Sequence, residues 1–156
     1  MGKISKAGGC LVFLVVFVSV SAFAAGDDAV TYEKEIKKIM SEQCLSCHGN
    51  DAPTMTEFKK NEDMYKKAMK GPRADTYAHL MVMVNGSDTG ALMRRLDDGK
   101  NTTSGKPGNM YDYLGKNDGE KAKNLGTIKK WIGGWTLKRN KDITEEERKA
   151  IRALEK

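Results

Sequence analysis

Two cysteines and a histidine stand close together in the sequence Cys44-Leu45-Ser46-Cys47-His48. A Cys-x-x-Cys-His run is the attachment motif for c-type haem, because thiols at this separation can add across the two vinyl groups of a porphyrin. The histidine that follows then lies beneath the iron and can supply the proximal imidazole. We therefore predict one covalently attached haem c, held by Cys44 and Cys47, with His48 as an iron ligand.

Two other chemistries use cysteines that are two residues apart. A thiol–disulfide pair usually opens a helix in a strand–helix–strand context, whereas this pair follows a predicted helix in a chain with few strand signals. A structural zinc site needs four ligands, and outside the motif the chain has only one further histidine, His79, and one further cysteine, Cys10. Haem attachment is therefore the interpretation that the sequence favours.

An apolar run lies near the amino terminus. Residues 11–20 are apolar apart from one serine, and the run is shorter than the roughly 20 residues of a membrane-spanning helix. Lys3 and Lys6 precede it, and an Ala-x-Ala cleavage pattern follows. This order is typical of a secretory signal peptide. We predict a cleaved leader over residues 1–24 and a periplasmic protein, with retention at the membrane or the cell surface as the alternative.

Length and charge restrict the remaining possibilities. The chain has 156 residues and a net charge of +6, and loss of the two lysines in the leader leaves 25 basic against 21 acidic side chains, or +4. Such a length suits one domain with a single core. No nucleic-acid-binding motif or small-molecule site is evident. The lysines of residues 59–70 are typical of a solvated face or, alternatively, of steering towards an acidic redox partner.

Helical periodicity dominates the chain after the leader. Short helices are predicted between loops marked by Gly and Pro, and no stretch alternates as a half-buried strand would. The predicted helices cover residues 29–42, 62–70, 75–84, 88–97, 119–132 and 144–155, of which 75–84 would also suit a strand. The sequence therefore predicts an all-α fold.

Together these features resemble a single-haem class I cytochrome c of the exported, bacterial kind. The resemblance covers residues 29–135, in which a first helix runs into the haem motif and residues 119–132 match the family's C-terminal helix. Residues 107–110, Pro-Gly-Asn-Met, are similar to the family's Pro-Gly-x-x-Met ligand region with one residue fewer. The resemblance implies a helical fold around one haem, in which the first and last helices cross and Met110 is the second iron ligand.

The sixth iron ligand has more than one candidate. Met110 follows His48 by 62 residues and lies in a loop, whereas His79 follows it by only 31 residues with a predicted helix in between. The chain has to pass around the porphyrin edge to reach the opposite face, so we expect Met110. His79 is the main alternative, ahead of Met81 and Met83, and a second imidazole would give a lower reduction potential than a thioether.

The region after the motif departs from the family pattern. The family has a proline whose carbonyl orients the proximal histidine, and residues 50–73 contain no close match to it. Pro53 and Pro72 both remain candidates for orienting His48.

The carboxyl-terminal residues also depart from it, because they extend beyond the family's usual end. We predict a cytochrome domain over residues 25–135 and a C-terminal helical extension over residues 136–156. The extension is expected to fold over the outside of the domain, with Trp135 and Ile143 as anchors, and to be dispensable for haem binding.

Single-electron transfer between redox partner proteins is the predicted function, with no small-molecule substrate. A haem enzyme, such as a peroxidase or the haem subunit of a dehydrogenase, is one alternative, and a haem-based gas sensor is another. Both alternatives need an open iron position, and a peroxidase also needs a distal acid–base group, for which His79 is the only candidate. Met110 would instead fill that position, so we predict a carrier and not an enzyme.

Overall fold

Residues 29–156, with Gly2, are the part of the chain that the computed structural model describes, and they consist of helices and the loops that join them. The first helix begins as a π-helical stretch, Tyr32–Ile36, and continues as α1, Lys37–Gln43. It is followed by α2 (Leu45–His48), α3 (Met55–Lys60), α4 (Glu62–Lys67), α5 (Tyr77–Val84), α6 (Ala91–Leu96), α7 (Asp118–Ile132) and α8 (Glu145–Ala150), with 3-10 helices at Tyr111–Leu114 and Asn140–Asp142.

The prediction of an all-α fold is confirmed. Within the described residues the only β-type pairing is an isolated bridge between Gly133 and Ile151. Among them, too, no helix is long and apolar enough to cross a membrane. The predicted leader, residues 1–24, falls outside the described residues except for Gly2, so its cleavage stays a prediction.

Each predicted helix is present, although most are shorter than the sequence suggests. Side-chain caps begin several of them, because a hydroxyl or amide oxygen accepts one of the free N–H groups of the first turn. The capping residues are Thr31, Thr54, Thr76, Asn117 and Thr144. The valine-rich stretch 75–84 is helical from Tyr77. Helix α3 was not predicted, since none of its residues is buried and it has no apolar stripe.

The core lies where the first helix packs against α7. Ile36, Ile128 and Trp131 are each at most 2% exposed. The ring of Tyr32 lies 6.5 Å from that of Trp131 and 5.5 Å, edge-on, from that of Tyr77. The apolar stripe that predicts α7 is therefore the face that meets the first helix.

The carboxyl-terminal residues enter this core, and the prediction that they lie outside it is wrong. Helix α8 ends at Ala150, five residues before the predicted end, and Ile151 and Ala153 beyond it are 5% and 0% exposed. The predicted anchor Ile143 is only half-buried. The helix ends at Ala150, and the next residues place these two side chains in the core.

Backbone groups of the last residues bond to the end of the first helix and to the end of α7, where the N–H of Arg152 donates to the carbonyl of Ile132 at 2.8 Å. The carbonyl of Leu154 accepts the first N–H of the initial helix, from Tyr32, and the indole N–H of Trp131, both at 2.8 Å. The carbonyl of Ala153 accepts the hydroxyl of Tyr77 at 3.0 Å. Helix termini leave several N–H and C=O groups without intrahelical partners, so this tail satisfies groups that would otherwise be buried without a partner.

Candidate functional site

A single helical turn holds the two cysteines and the histidine of the motif. Cys44 follows α1, and its carbonyl accepts the N–H groups of Cys47 at 3.2 Å and His48 at 3.0 Å. Both cysteine side chains are half-buried. The turn therefore presents two thiols and one imidazole from the same short segment, as haem attachment requires.

The imidazole of His48 is oriented by Pro72. Its Nδ1 lies 2.7 Å from the carbonyl oxygen of Pro72. The carbonyl of Pro53, the other candidate, instead accepts the N–H of Arg73 at 2.7 Å. Because a carbonyl only accepts, Nδ1 carries the proton and Nε2 keeps its lone pair for a metal.

Residues 71–74 form a strap across the motif. The N–H of Gly71 donates to the carbonyl of Cys47 at 3.0 Å, and that of Ala74 donates to the carbonyl of His48 at 2.9 Å. A Cβ on Gly71 would lie 2.6 Å from Nδ1 and 2.7 Å from Nε2 of His48, closer than van der Waals contact permits. Only glycine lets the strap lie against the imidazole.

We expect Gly71→Ala to displace the imidazole of His48 and to break its bond to Pro72. Overpacking of this kind costs about 1–3 kcal/mol, so the thermal midpoint should fall, and the absorption spectrum of the haem protein should change with the ligand's orientation. Gly126→Ala is the control, because nothing lies within 4 Å of a Cβ at that helical position. Unchanged melting and spectra in Gly71→Ala would contradict the close fit.

The environment of Cys44 does not suit thiol–disulfide exchange. Burial raises the pKa of the Cys44 thiol to about 11, whereas an exchanging cysteine needs a depressed pKa to form the thiolate. Zinc binding gains no support either. Nowhere in residues 29–156 do three or more His, Cys, Asp or Glu side chains gather as metal ligands would.

Met110 ends a loop that starts after α6 and comes back to contact α6. The loop, residues 99–110, begins after α6, and the N–H of Met110 donates to the carbonyl of Arg95 at 2.9 Å. A side chain on Gly108 would overlap the carbonyl oxygens of Arg94 and Arg95, so this glycine permits the close approach. Met110 is half-buried against the core.

His79, the other candidate for the sixth ligand, lies on α5. Its Nδ1 is 2.7 Å from a carboxylate oxygen of Asp75, and its side chain is 37% exposed. That contact gives the histidine an ordinary surface role as a hydrogen-bond partner of Asp75.

The lysines of residues 59–70 are largely matched by acids. Lys59 lies 2.6 Å from Asp88, Lys66 lies 2.7 Å from Glu62, and Lys70 pairs with Asp51. This arrangement is that of a solvated, ion-paired face.

A family model described as PccH cytochrome c matches residues 31–154. The chain belongs to the PccH cytochrome c family. The solved structure of the monoheme cytochrome PccH from Geobacter sulfurreducens is similar to it, with 48% sequence identity and a TM-score of 0.75, over 80% of this chain and 98% of that one. A comparison with curated proteins gives no match.

Membership of the PccH family settles the cofactor and the broad role. The protein is a single-haem cytochrome c with one covalently bound haem c, and it is a haem electron carrier in a family that is generally non-enzymatic. The family match runs through the tail to residue 154, in agreement with the burial of Ile151 and Ala153.

The described residues of this PccH-family cytochrome fit such a group. The thiols share one turn, Nε2 of His48 is left for the iron, and the strap keeps the imidazole in one orientation. Within the strap, Nε of Arg73 is buried and makes no hydrogen bond to the residues that the structure describes, although a carboxylate oxygen of Asp75 lies 3.9 Å away. A buried donor of this kind calls for an acceptor, and a haem propionate is an acceptor of the right type. Sequence patterns do not single out Arg73, because it lies outside the haem motif and far from it along the chain.

Proposed function

We propose that this cytochrome passes single electrons between redox proteins in the periplasm, with Cys44 and Cys47 in thioether bonds to the haem and His48 and Met110 as iron ligands. The bound haem supplies a one-electron couple between ferric and ferrous iron. The bond between His48 and Pro72 carries the proposal, because it fixes the tautomer and the orientation that a proximal ligand needs.

The two proposed iron ligands are held in place by different kinds of structure. His48 sits on a helical turn and is clamped by the strap, whereas Met110 ends a loop whose return is fixed by a backbone hydrogen bond to Arg95. A thioether raises the reduction potential relative to a second imidazole. It also closes the sixth position, and a closed position favours a carrier over an enzyme or a gas sensor.

The partners and the compartment belong to the same proposal. Export follows from the leader-like residues 1–24, and redox proteins with an acidic face would be attracted by the lysines that remain exposed on residues 59–70. Salt screens such attraction. If the partners are acidic, the rate of electron transfer to or from them should fall as ionic strength rises.

The test is the mass and the spectrum of the protein expressed in a host that attaches haem c. We expect a polypeptide starting at Ala25, recovered from the periplasm, plus one haem that survives denaturation. Carbon monoxide should leave the spectrum of the ferrous protein unchanged. Cys47→Ala removes one thioether and Cys10→Ala, in the leader, removes none, so only the first should alter the spectrum. Haem that acid acetone extracts, or rapid binding of carbon monoxide, would contradict the proposal.

A further inference from the structure

Asp97 is a fully buried carboxylate at the end of α6, with 0% exposure. Its Oδ1 accepts the backbone N–H groups of Gly99 at 2.9 Å and Asn101 at 3.3 Å. Its Oδ2 accepts the side-chain amide of Asn101 at 2.7 Å and the indole N–H of Trp135 at 2.9 Å. Four donors therefore surround one acid, and each holds a different group in place.

The carboxylate is held in its charged form. Burial alone would raise the pKa of Asp97, but the hydrogen bonds from Asn101, Trp135 and Gly99 outweigh burial, and the pKa lies below its usual range. Hydrogen bonds to a charged acceptor are stronger than neutral ones. A network of this kind fixes geometry as long as the charge and its donors are all present.

Asp97 also holds both ends of the loop that carries Met110. Its side chain binds the first residues of the loop, through Gly99 and Asn101, and its carbonyl accepts the N–H of Gly108 at 2.8 Å. Met110 follows Gly108 by two residues and bonds to Arg95, which precedes Asp97 by two. The start and the return of the loop thus meet at one residue.

The middle of this loop has few packing contacts. Residues 100–107 are exposed, apart from a half-buried Thr102, and none of them is apolar except for Pro107. A segment without buried apolar contacts depends on its hydrogen bonds for order. The bond from Trp135 ties those hydrogen bonds to the end of α7, and therefore to the core.

We propose that Asp97 is a positioning residue for Met110: its buried carboxylate locks the 99–110 loop and so keeps the thioether in reach of the iron of the bound haem. The inference rests on the proposed ligation by Met110. Asp97 would not touch the haem itself, but it would set how often the sixth position is open.

Asp97→Asn is the direct test in the haem-loaded protein. The amide has the same shape, but it loses the charge and points an NH2 group at donors that need an acceptor. We expect weaker far-red methionine–iron absorption in the ferric protein and faster binding of carbon monoxide in the ferrous one. Asp98→Asn is the matched control, because it removes the same charge one residue further on, where the carboxylate pairs with Lys100 and Lys129.

Two milder variants remove single donors and keep the buried charge. Trp135→Phe deletes the indole N–H, and Asn101→Ala deletes the side-chain amide. Loss of one hydrogen bond to a charged group corresponds to about a tenfold shift in an equilibrium, so each should raise the rate of carbon monoxide binding by about tenfold. These variants decide the question if Asp97→Asn does not fold.

Met110→Ala separates this inference from the proposal beneath it. If Met110→Ala keeps the far-red band, Met110 is not the ligand, and both ideas are wrong. If Met110→Ala loses the band but the Asp97, Trp135 and Asn101 variants bind carbon monoxide as slowly as the parent, only the role of Asp97 is wrong. A fall in melting temperature without a change in carbon monoxide binding would equally overturn it, since Asp97 would then be structural alone.

Discussion

Replacing Met110 by Ala is expected to abolish the far-red methionine–iron absorption of the ferric protein and to open the ferrous iron to carbon monoxide. Alanine has no thioether, so the sixth position passes to water or remains free. The reduction potential should fall, because thioether ligation raises it. The substitution leaves Cys44, Cys47 and His48, the proposed attachment and ligand residues, unchanged, so the protein should stay folded and keep its haem. Optical titration with carbon monoxide and a redox titration measure these effects.

His79→Ala is the matched control for that experiment. The side chain pairs with Asp75 at the surface, and exposed pairs contribute about 0–1 kcal/mol, so its loss should leave the far-red band and the closed sixth position intact. The opposite pattern, with His79→Ala opening the iron and Met110→Ala leaving the spectrum unchanged, would give His79 the ligand role.

Local patterns account for what the sequence predicted correctly. The haem motif depends on residues within one helical turn, and its spacing holds in any fold that keeps the turn. Helix α7 is predicted equally well, because the stripe of Leu125, Ile128, Trp131 and Ile132 is both local and buried. The family resemblance rests on the same short-range features, and the family match bears it out.

The choice of Pro72 over Pro53 could not be made from the sequence. Both prolines lie between the motif and α5, and their positions depend on the path of the chain between them. Helices α3 and α4 occupy most of that path and bring the chain back at Gly71. The capping box of Thr54 and Glu57 is a sequence signal for α3. No apolar stripe accompanies it, and Phe58 stacks on Tyr65 instead of packing in the core.

Asp97 and the tail show the same limit at longer range. An aspartate before a loop rich in Gly and Asn has the sequence pattern of a solvated turn. In the structure Asp97 is buried instead, and it accepts a hydrogen bond from Trp135, 38 residues further along the chain. The capping box at Thr144 predicts the start of α8 correctly. The charged residues after it predict a longer helix than the structure has, because α8 ends at Ala150. Tertiary contacts of Ile151 and Ala153 outweigh local propensity there.

Deleting residues 151–156 is expected to destabilise the protein strongly, although these residues are far from the haem motif along the chain. Removing a buried isoleucine side chain costs about 2–5 kcal/mol, and each lost hydrogen bond costs about 0.5–1.5 kcal/mol more. The deletion removes Ile151 and the carbonyls that Tyr32, Tyr77 and Trp131 bind. Proteins of this kind have a total unfolding free energy of about 5–15 kcal/mol. A loss of this size should therefore lower the thermal midpoint by about 10 °C or more.

Point variants separate the side chains of the tail from its backbone. Ile151→Ala should lose about 2–5 kcal/mol of unfolding free energy, because that side chain is 5% exposed. Leu154→Ala is the control. Leu154 is 39% exposed and acts through its carbonyl, which the substitution keeps, so its effect should stay within about 0.5 kcal/mol. Denaturant unfolding of the haem protein gives both values. If the deletion and Ile151→Ala unfold like the parent chain, the tail is peripheral after all, and the core closes without it.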